Sequence, residues 1–181
     1  VITRTGDLDR VLEGIDAAIA QGIDRIRLNV VVLDGLNRDE VLPLTQFALA
    51  KNIHISFIEE MPLGQVNVGG KPLAYVSSDA LHAELNEHFC LEPISAEETA
   101  GPSRDYLISG STTRVGFISP HSNNFCAQCN RLRISAEGRL LMCLGNEESI
   151  DLRGLLRSDC SDDEIKMAII DSLSIKPERH V

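Results

Sequence analysis

Three of the five cysteines, Cys126, Cys129 and Cys143, stand in a C-x2-C-x13-C arrangement. Two cysteines at C-x2-C spacing on a loop can turn both sulfurs toward one ion. The gap to the third has a mechanical reading: residues 132–134 and 140–142 carry strand patterns, with Glu137-Gly138 as the turn between them. Such a hairpin returns Cys143 to the first two. An odd, clustered set of cysteines in a chain with no visible secretion signal points to metal binding or catalysis more than to a disulfide framework. Three sulfurs leave the metal open. A closed structural zinc site takes four ligands, and His121 or Cys160 would then be the fourth. Three cysteines on a four-iron cluster instead leave one iron vacant for a substrate. Unrelated free thiols are the third reading. Arg131 and Arg133 follow the second cysteine directly. On an extended segment residues two apart share a face, so both guanidinium forks would lie beside the metal, shaped for phosphate or the edge of a polar heterocycle. The bland alternative is a pair of solvated surface arginines.

Bulk composition narrows the ligand further. The 181 residues carry a formal net charge of −10 and a pI of about 4.9. A chain this acidic is a poor non-specific partner for nucleic acid or a membrane surface. An anionic ligand must therefore be held by a local basic cluster. No apolar run approaches membrane-spanning length and no signal peptide is visible, so the cytoplasm is the expected compartment. Hydrophobic residues make up 43%, enough for a sizeable core, and the length suits one domain plus an appendage. The first residue is Val1, not Met, and the chain is expected to be a fragment.

The elements that must position these residues read in two styles. Residues 7–21 predict a helix capped by Asp7, with Leu8, Val11, Leu12, Ile15 and Ile19 at helical spacing and Gly22 after its end. Residues 26–33 and 54–59 predict strands of the doubly covered parallel kind. Between them residues 36–51 predict a helix with Asn37 as cap and Val41, Leu44 and Ala48 inward. Alternation of this kind gives parallel strands with helical crossovers. Two such strands make no independent sheet, so the missing ones are expected upstream of Val1. Residues 61–71 read as a Gly- and Pro-containing loop, residues 77–89 as a short helix. Beyond Pro93, residues 106–109 and 114–119 read as antiparallel strands turning at 110–113, and residues 163–174 as a terminal helix. The expected division is a partial βα barrel over 1–76 and an α+β part over 77–181. Cys90 is expected as a core thiol, and His54, His82 and His88, which lack ligand spacing, as structural. Glu59 and Glu60 close a strand and read either as functional or as solvated.

The run Cys126, Cys129, Asn130, Arg131, Arg133, Glu137-Gly138 and Cys143-Leu144 resembles the C-terminal half of the molybdenum cofactor biosynthesis protein A family, the GTP 3′,8-cyclases of the radical S-adenosylmethionine superfamily. Ile2-Thr3-Arg4, Gly6-Asp7-Leu8-Asp9, residues 26–32 and Phe57-Ile58-Glu59-Glu60-Met61-Pro62 agree, so the likeness covers essentially the whole chain. The resemblance implies an incomplete TIM-like (βα) barrel followed by a small α+β iron–sulfur domain. It implies conversion of GTP to a cyclic pyranopterin precursor by radical chemistry. By match, Cys126, Cys129 and Cys143 would ligate a [4Fe-4S] cluster. Arg131, Leu132 and Arg133 fall in the GTP-contacting stretch. Arg27 falls where the family usually has a GTP-contacting lysine; a salt-bridged residue at a strand end is the equal alternative. Met61 falls at a position lining the S-adenosylmethionine pocket, although composition alone makes it ordinary apolar lining.

Departures from the pattern are equally concrete. The C-x3-C-x2-C motif that holds the family's first [4Fe-4S] cluster, together with S-adenosylmethionine, is absent from this chain, as is a C-terminal Gly-Gly tail. The chain alone is therefore expected to be inactive. Its expected partners are GTP, the N-terminal half of the barrel and, as an option, a second copy in a homodimer, with neither nucleic acid nor membrane. Two competing functions remain: a non-enzymatic structural zinc module, and an auxiliary-cluster domain of another radical S-adenosylmethionine enzyme acting on peptides.

Overall fold

The computed structural model describes residues 6–61, 67–68, 71–72, 75–95, 102–123, 131–143 and 148–177. The chain divides into two compact units, Val1–Ser122 and Asn123–Val181. No helix of the described residues is long and apolar enough to cross a membrane.

The first unit begins with α1 (Leu8–Ala20), whose first turn is capped by the Asp7 carboxylate accepting from Arg10 N at 3.2 Å. Strand β1 (Arg27–Val32) follows, then α2 (Val41–Ala50) and β2 (His54–Glu59). Helix α2 starts later than its periodicity predicts. Pro43 has no N–H and its ring excludes a regular turn around residue 39, so residues Arg38–Glu40 form a separate 3-10 turn. Asn37 does not cap it. Its Oδ1 accepts from Leu33 N at 2.8 Å and its Nδ2 donates to Val31 O at 2.9 Å, which ties off the end of β1. Within residues 61–71, expected as loop, β3 (Asn67–Val68) pairs antiparallel with β4 (Lys71–Pro72). Helix α3 (Ser78–His88) then leads to β5 (Leu91–Pro93), β6 (Ser103–Ile108) and β7 (Arg114–Ile118).

These strands form one mixed sheet in the order β1-β2-β7-β6-β5. The β1–β2 pair is parallel, as the crossover helix requires. The β6–β7 hairpin is antiparallel, as its turn predicts. What the periodicity did not reveal is that β7 inserts beside β2, and in parallel. Strands from both sides of residue 76 thus share one sheet, and the compact unit runs on to Ser122. The physical reason is a common apolar face: Phe57 lies opposite Phe117 in register, with ring centroids 6.3 Å apart.

That face carries the core. Val32, Ile55, Phe57, Ile108, Val115 and Phe117 pack with Val41 and Ala48 of α2 and Leu81 and Leu85 of α3. Strand geometry sends alternate side chains to the other face, and by register these are Arg27, Asn29, His54, Ser56, Arg114, Gly116, Ser103 and Asp105, together with the apolar Val31, Ile58, Leu107 and Ile118. Double coverage is therefore met on one face only within the described residues. The opposite face is mixed, and most of its polar residues gather in the rows of Arg27 and Asn29.

The second unit is a three-stranded antiparallel sheet, β8 (Arg133–Ile134), β9 (Arg139–Leu141) and β10 (Ser149–Asp151), with α4 (Leu152–Arg157) and α5 (Asp162–Ser172). Gly138 makes the β8–β9 turn at φ +78°, a conformation that disfavours any residue with a Cβ. Helix α5 opens with a capping box in which Ser161 and Glu164 satisfy each other's backbone N–H. Leu140, Met142 and Leu152 form its buried core with Ile150, Ile165 and Ile169 against them.

Truncation of the shared face tests this account. Phe57→Ala is expected to cost about 3–5 kcal/mol, read as a lowered urea midpoint. A loss below about 1 kcal/mol would mean that β2 and β7 are not joined through this ring.

Candidate functional site

Strand β2 ends in Glu59, an acid only 1% exposed. A buried carboxylate needs donors, and four reach this one. Oε1 accepts from Ser78 N at 2.7 Å and from Ser122 Oγ at 2.5 Å. Oε2 accepts from His121 N and Ser122 N, each at 3.0 Å. Glu59 therefore pins the start of α3 and the segment after β7 to the C-terminal end of β2. Burial alone would push the carboxyl up, but the hydrogen bonds from Ser122, Ser78 and His121 outweigh it and hold the group below its ordinary 4.5. Neither reading of Glu59 from the sequence, reactive or solvated, included this structural role. Met61 stands two residues beyond it, half-buried.

Arg27 lies at the opposite end of the strands. Its Nη1 and Nη2 donate to the two carboxylate oxygens of Asp105 at 2.9 and 2.5 Å, and Nη1 also donates to Ser56 Oγ at 2.8 Å. Burial pushes Asp105 up, yet the hydrogen bonds from Arg27 and Ser103 prevail and keep it ionised, below the usual carboxylate range. His54, the register partner of Arg27, accepts from Arg114 N through Nδ1 at 3.2 Å. Its proton must then sit on Nε2. Burial and the nearby charges of Arg27 and Arg114 lower the pKa of this imidazole, so it is neutral at neutral pH. Sequence reasoning missed Ser56, Ser103, Asp105 and Gly116. The available signal was a glycine inside a strand pattern, which marks a close approach.

In the second unit, Arg131, Leu132 and Arg133 are exposed, and only Arg133 belongs to β8. Among the described residues neither arginine forms an ion pair. Arg133 lies opposite Leu141, the outermost pair of this ladder, and Arg131 and Cys143 lie beyond it on the two arms. Lys176 fastens this open end, donating to Arg131 O at 3.0 Å and to Met142 O at 2.8 Å. Cys143 is a half-buried free thiol. Cys126 and Cys129 fall outside the described residues. Among those described, no three His, Cys, Asp or Glu side chains gather into a metal-holding group. Of the two fourth-ligand candidates, His121 sets its ring 5.1 Å from that of Tyr75, and Cys160 accepts from Ser158 Oγ at 2.9 Å. Cys90, expected in the core, is exposed because it sits in the link between α3 and β5. His82 is structural as expected, its ring 4.4 Å from Tyr106.

The family model described as Molybdenum Cofactor Synthesis C matches residues 53–181. A protein named GTP 3′,8-cyclase from Pseudomonas putida (strain W619) is 52% identical over 181 residues, covering 99% of this chain and 54% of the relative. One of the same name from Marinobacter nauticus is 49% identical over 180 residues, again 99% of this chain and 54% of the relative. The chain spans about half the length of the curated relatives it matches.

The Glu59 pin has a pH signature. Because its folded pKa is depressed, the stability it contributes is present above pH 4.5 and is lost as pH falls through the folded value. Glu59→Gln is expected to cost roughly 3 kcal/mol at neutral pH. In urea unfolding the gap between variant and parent should close in acid. A gap that persists unchanged into strong acid would show that ionisation of Glu59 is not what holds the three segments.

Proposed function

The chain belongs to the Molybdenum Cofactor Synthesis C family, and on that premise we propose that it is the C-terminal part of a GTP 3′,8-cyclase. Such an enzyme converts GTP to (8S)-3′,8-cyclo-7,8-dihydroguanosine 5′-triphosphate by radical S-adenosylmethionine chemistry. The observation that carries the reading is the open end of the β8–β9 hairpin. Lys176 donates to Arg131 O and to Met142 O there; Cys143, next after Met142, is a free thiol, and among the described residues Arg131 forms no ion pair. Chain connectivity keeps Cys129 two residues from that arginine.

The donor set fits a cluster. Cys143 is neither in a disulfide nor fully buried, and thiolates favour zinc and iron–sulfur centres. In this reading Cys126, Cys129 and Cys143 hold a [4Fe-4S] cluster, which when bound supplies an iron with an open position for the purine of GTP. Arg131 and Arg133 then orient the nucleotide by charge-assisted hydrogen bonds, and Leu132 contacts it from between them. The one-sided sheet supports a barrel wall: helices cover the apolar face, and the polar face with Arg27 is the lumen side. Arg27 contacts GTP from that wall. Met61, past the C-terminal end of β2 where α/β sites gather, lines the S-adenosylmethionine pocket. The other cluster, the family's first, and S-adenosylmethionine need a C-x3-C-x2-C motif, which these 181 residues lack. The N-terminal half of the barrel is accordingly the proposed partner, the cytoplasm the compartment, and the chain alone does not turn over GTP. No observation among the described residues favours a zinc module or a peptide-directed auxiliary domain.

Anaerobic reconstitution with iron and sulfide tests the reading. The chain is expected to take up about four irons per site, and Cys143→Ala to abolish the uptake. Stoichiometric zinc with no iron would refute it. Arg131→Ala and Arg133→Ala should each weaken GTP binding by roughly tenfold while leaving iron content unchanged.

A further inference from the structure

Arg27 and Asp105 sit on strands that are not neighbours. β2 and β7 lie between β1 and β6, so the Arg27 side chain must run across the polar face to reach the carboxylate. Ser56, Gly116 and Asp105 occupy one register row beneath it. Ser103 Oγ donates to Asp105 Oδ1 at 2.6 Å and also lies 3.5 Å from Arg27 Nη1. The crowding is tightest above Gly116. A Cβ there would meet Ser103 Oγ at 2.2 Å, Asp105 Oδ1 at 2.5 Å and Ser56 Oγ at 2.6 Å. A Cβ would push these side-chain oxygens apart, and glycine at this position is what lets the four polar groups converge. The Asp105 side chain is 4% exposed and that of Arg27 28%, so the pair is anchored at its acidic end and open at its basic one.

A guanidinium offers two forks: an end-on pair formed by both Nη groups, and a side-on pair formed by Nε with one Nη. Asp105 occupies the end-on fork. Among the described residues the Nε proton of Arg27 has no partner, which leaves the side-on fork available. Asp105 also offsets part of the arginine charge. The gain from the pair is thus geometric: a long, rotamer-rich side chain is held in one orientation before any ligand arrives.

We propose that Asp105 is a positioning residue for phosphate recognition, seated over the Gly116 notch so that the side-on fork of Arg27 is presented to the triphosphate of the nucleotide. The proposal deepens the reading above and rests on its assignment of Arg27 to GTP. Its specific content is that the contribution of Asp105 exists only when residue 27 has a fork to orient.

The test is equilibrium binding of GTP and of guanosine to the complete polypeptide that carries these 181 residues, with thermal unfolding of every variant. Asp105→Asn is expected to raise the Kd for GTP about tenfold and to leave that for guanosine unchanged. Ser103→Ala, a milder change, should move GTP in the same direction by less. In an Arg27→Lys background, Asp105→Asn should add no further loss, because an ammonium has no fork to align. Two results overturn the proposal in favour of a purely structural acid. One is equal weakening of GTP and guanosine. The other is a loss from Asp105→Asn that is as large in the Arg27→Lys background as in the parent. A silent Asp105→Asn alongside an Arg27→Ala that does weaken GTP overturns the role of Asp105 alone. Retention of the preference for GTP over guanosine in Arg27→Ala locates the failure one step earlier, in the assignment of Arg27, and overturns the proposal with it.

Discussion

The apolar side chains of β2 have to be covered along their length, and no strand next to it in sequence can finish that task. β1 flanks one side; β7 flanks the other, in parallel, with Phe117 set opposite Phe57. Once this pairing exists, much of the first unit follows. Helices α2 and α3 can bury their apolar residues only against the face that carries both rings. Strand alternation then sends arginines, serines, a histidine and an aspartate to the other side. That face is thus a by-product of core formation, and on it Arg27 of β1 meets Asp105 of β6 across two intervening strands.

The two ends of that sheet solve opposite problems. At the C-terminal end of β2 a single carboxylate is surrounded by donors from three backbone N–H groups and one hydroxyl. It is saturated, and it serves to fasten chain segments. At the other end Asp105 is also buried, but its main partner is a partly exposed cation. Both acids are ionised for the same reason, hydrogen bonding that exceeds the cost of burial. They differ in what they leave over: Glu59 leaves nothing for a ligand, whereas Asp105 leaves one edge of a guanidinium.

Local signals were legible wherever the physics is local. Asp7 caps α1, the turn after Ser109 joins two strands, and Gly138 turns the hairpin at positive φ. The β8–β9 hairpin was legible too, because it is built from adjacent residues. The parallel insertion of β7 was not, since periodicity says which side chains share a face and nothing about which strand lies alongside. Pairing of Arg27 with Asp105 was hidden for a related reason: the strand pattern in sequence begins only at Tyr106, so an aspartate at the preceding position looks like part of a link. Asn37 misleads in another way. Its type and position suit a cap, but Val31 O of β1 and Leu33 N just after it compete for the same amide and win.

The β2–β7 ladder joins residues 60 positions apart, as the contact between Arg114 and His54 illustrates. Contacts of such separation are entropically expensive to close and form late. Until β7 arrives, β2 presents a bare edge with Ile55 and Phe57 on it. The edge of β2 that β7 covers is thus one that a late-made strand has to protect, and an unpaired edge of this kind is open to other strands.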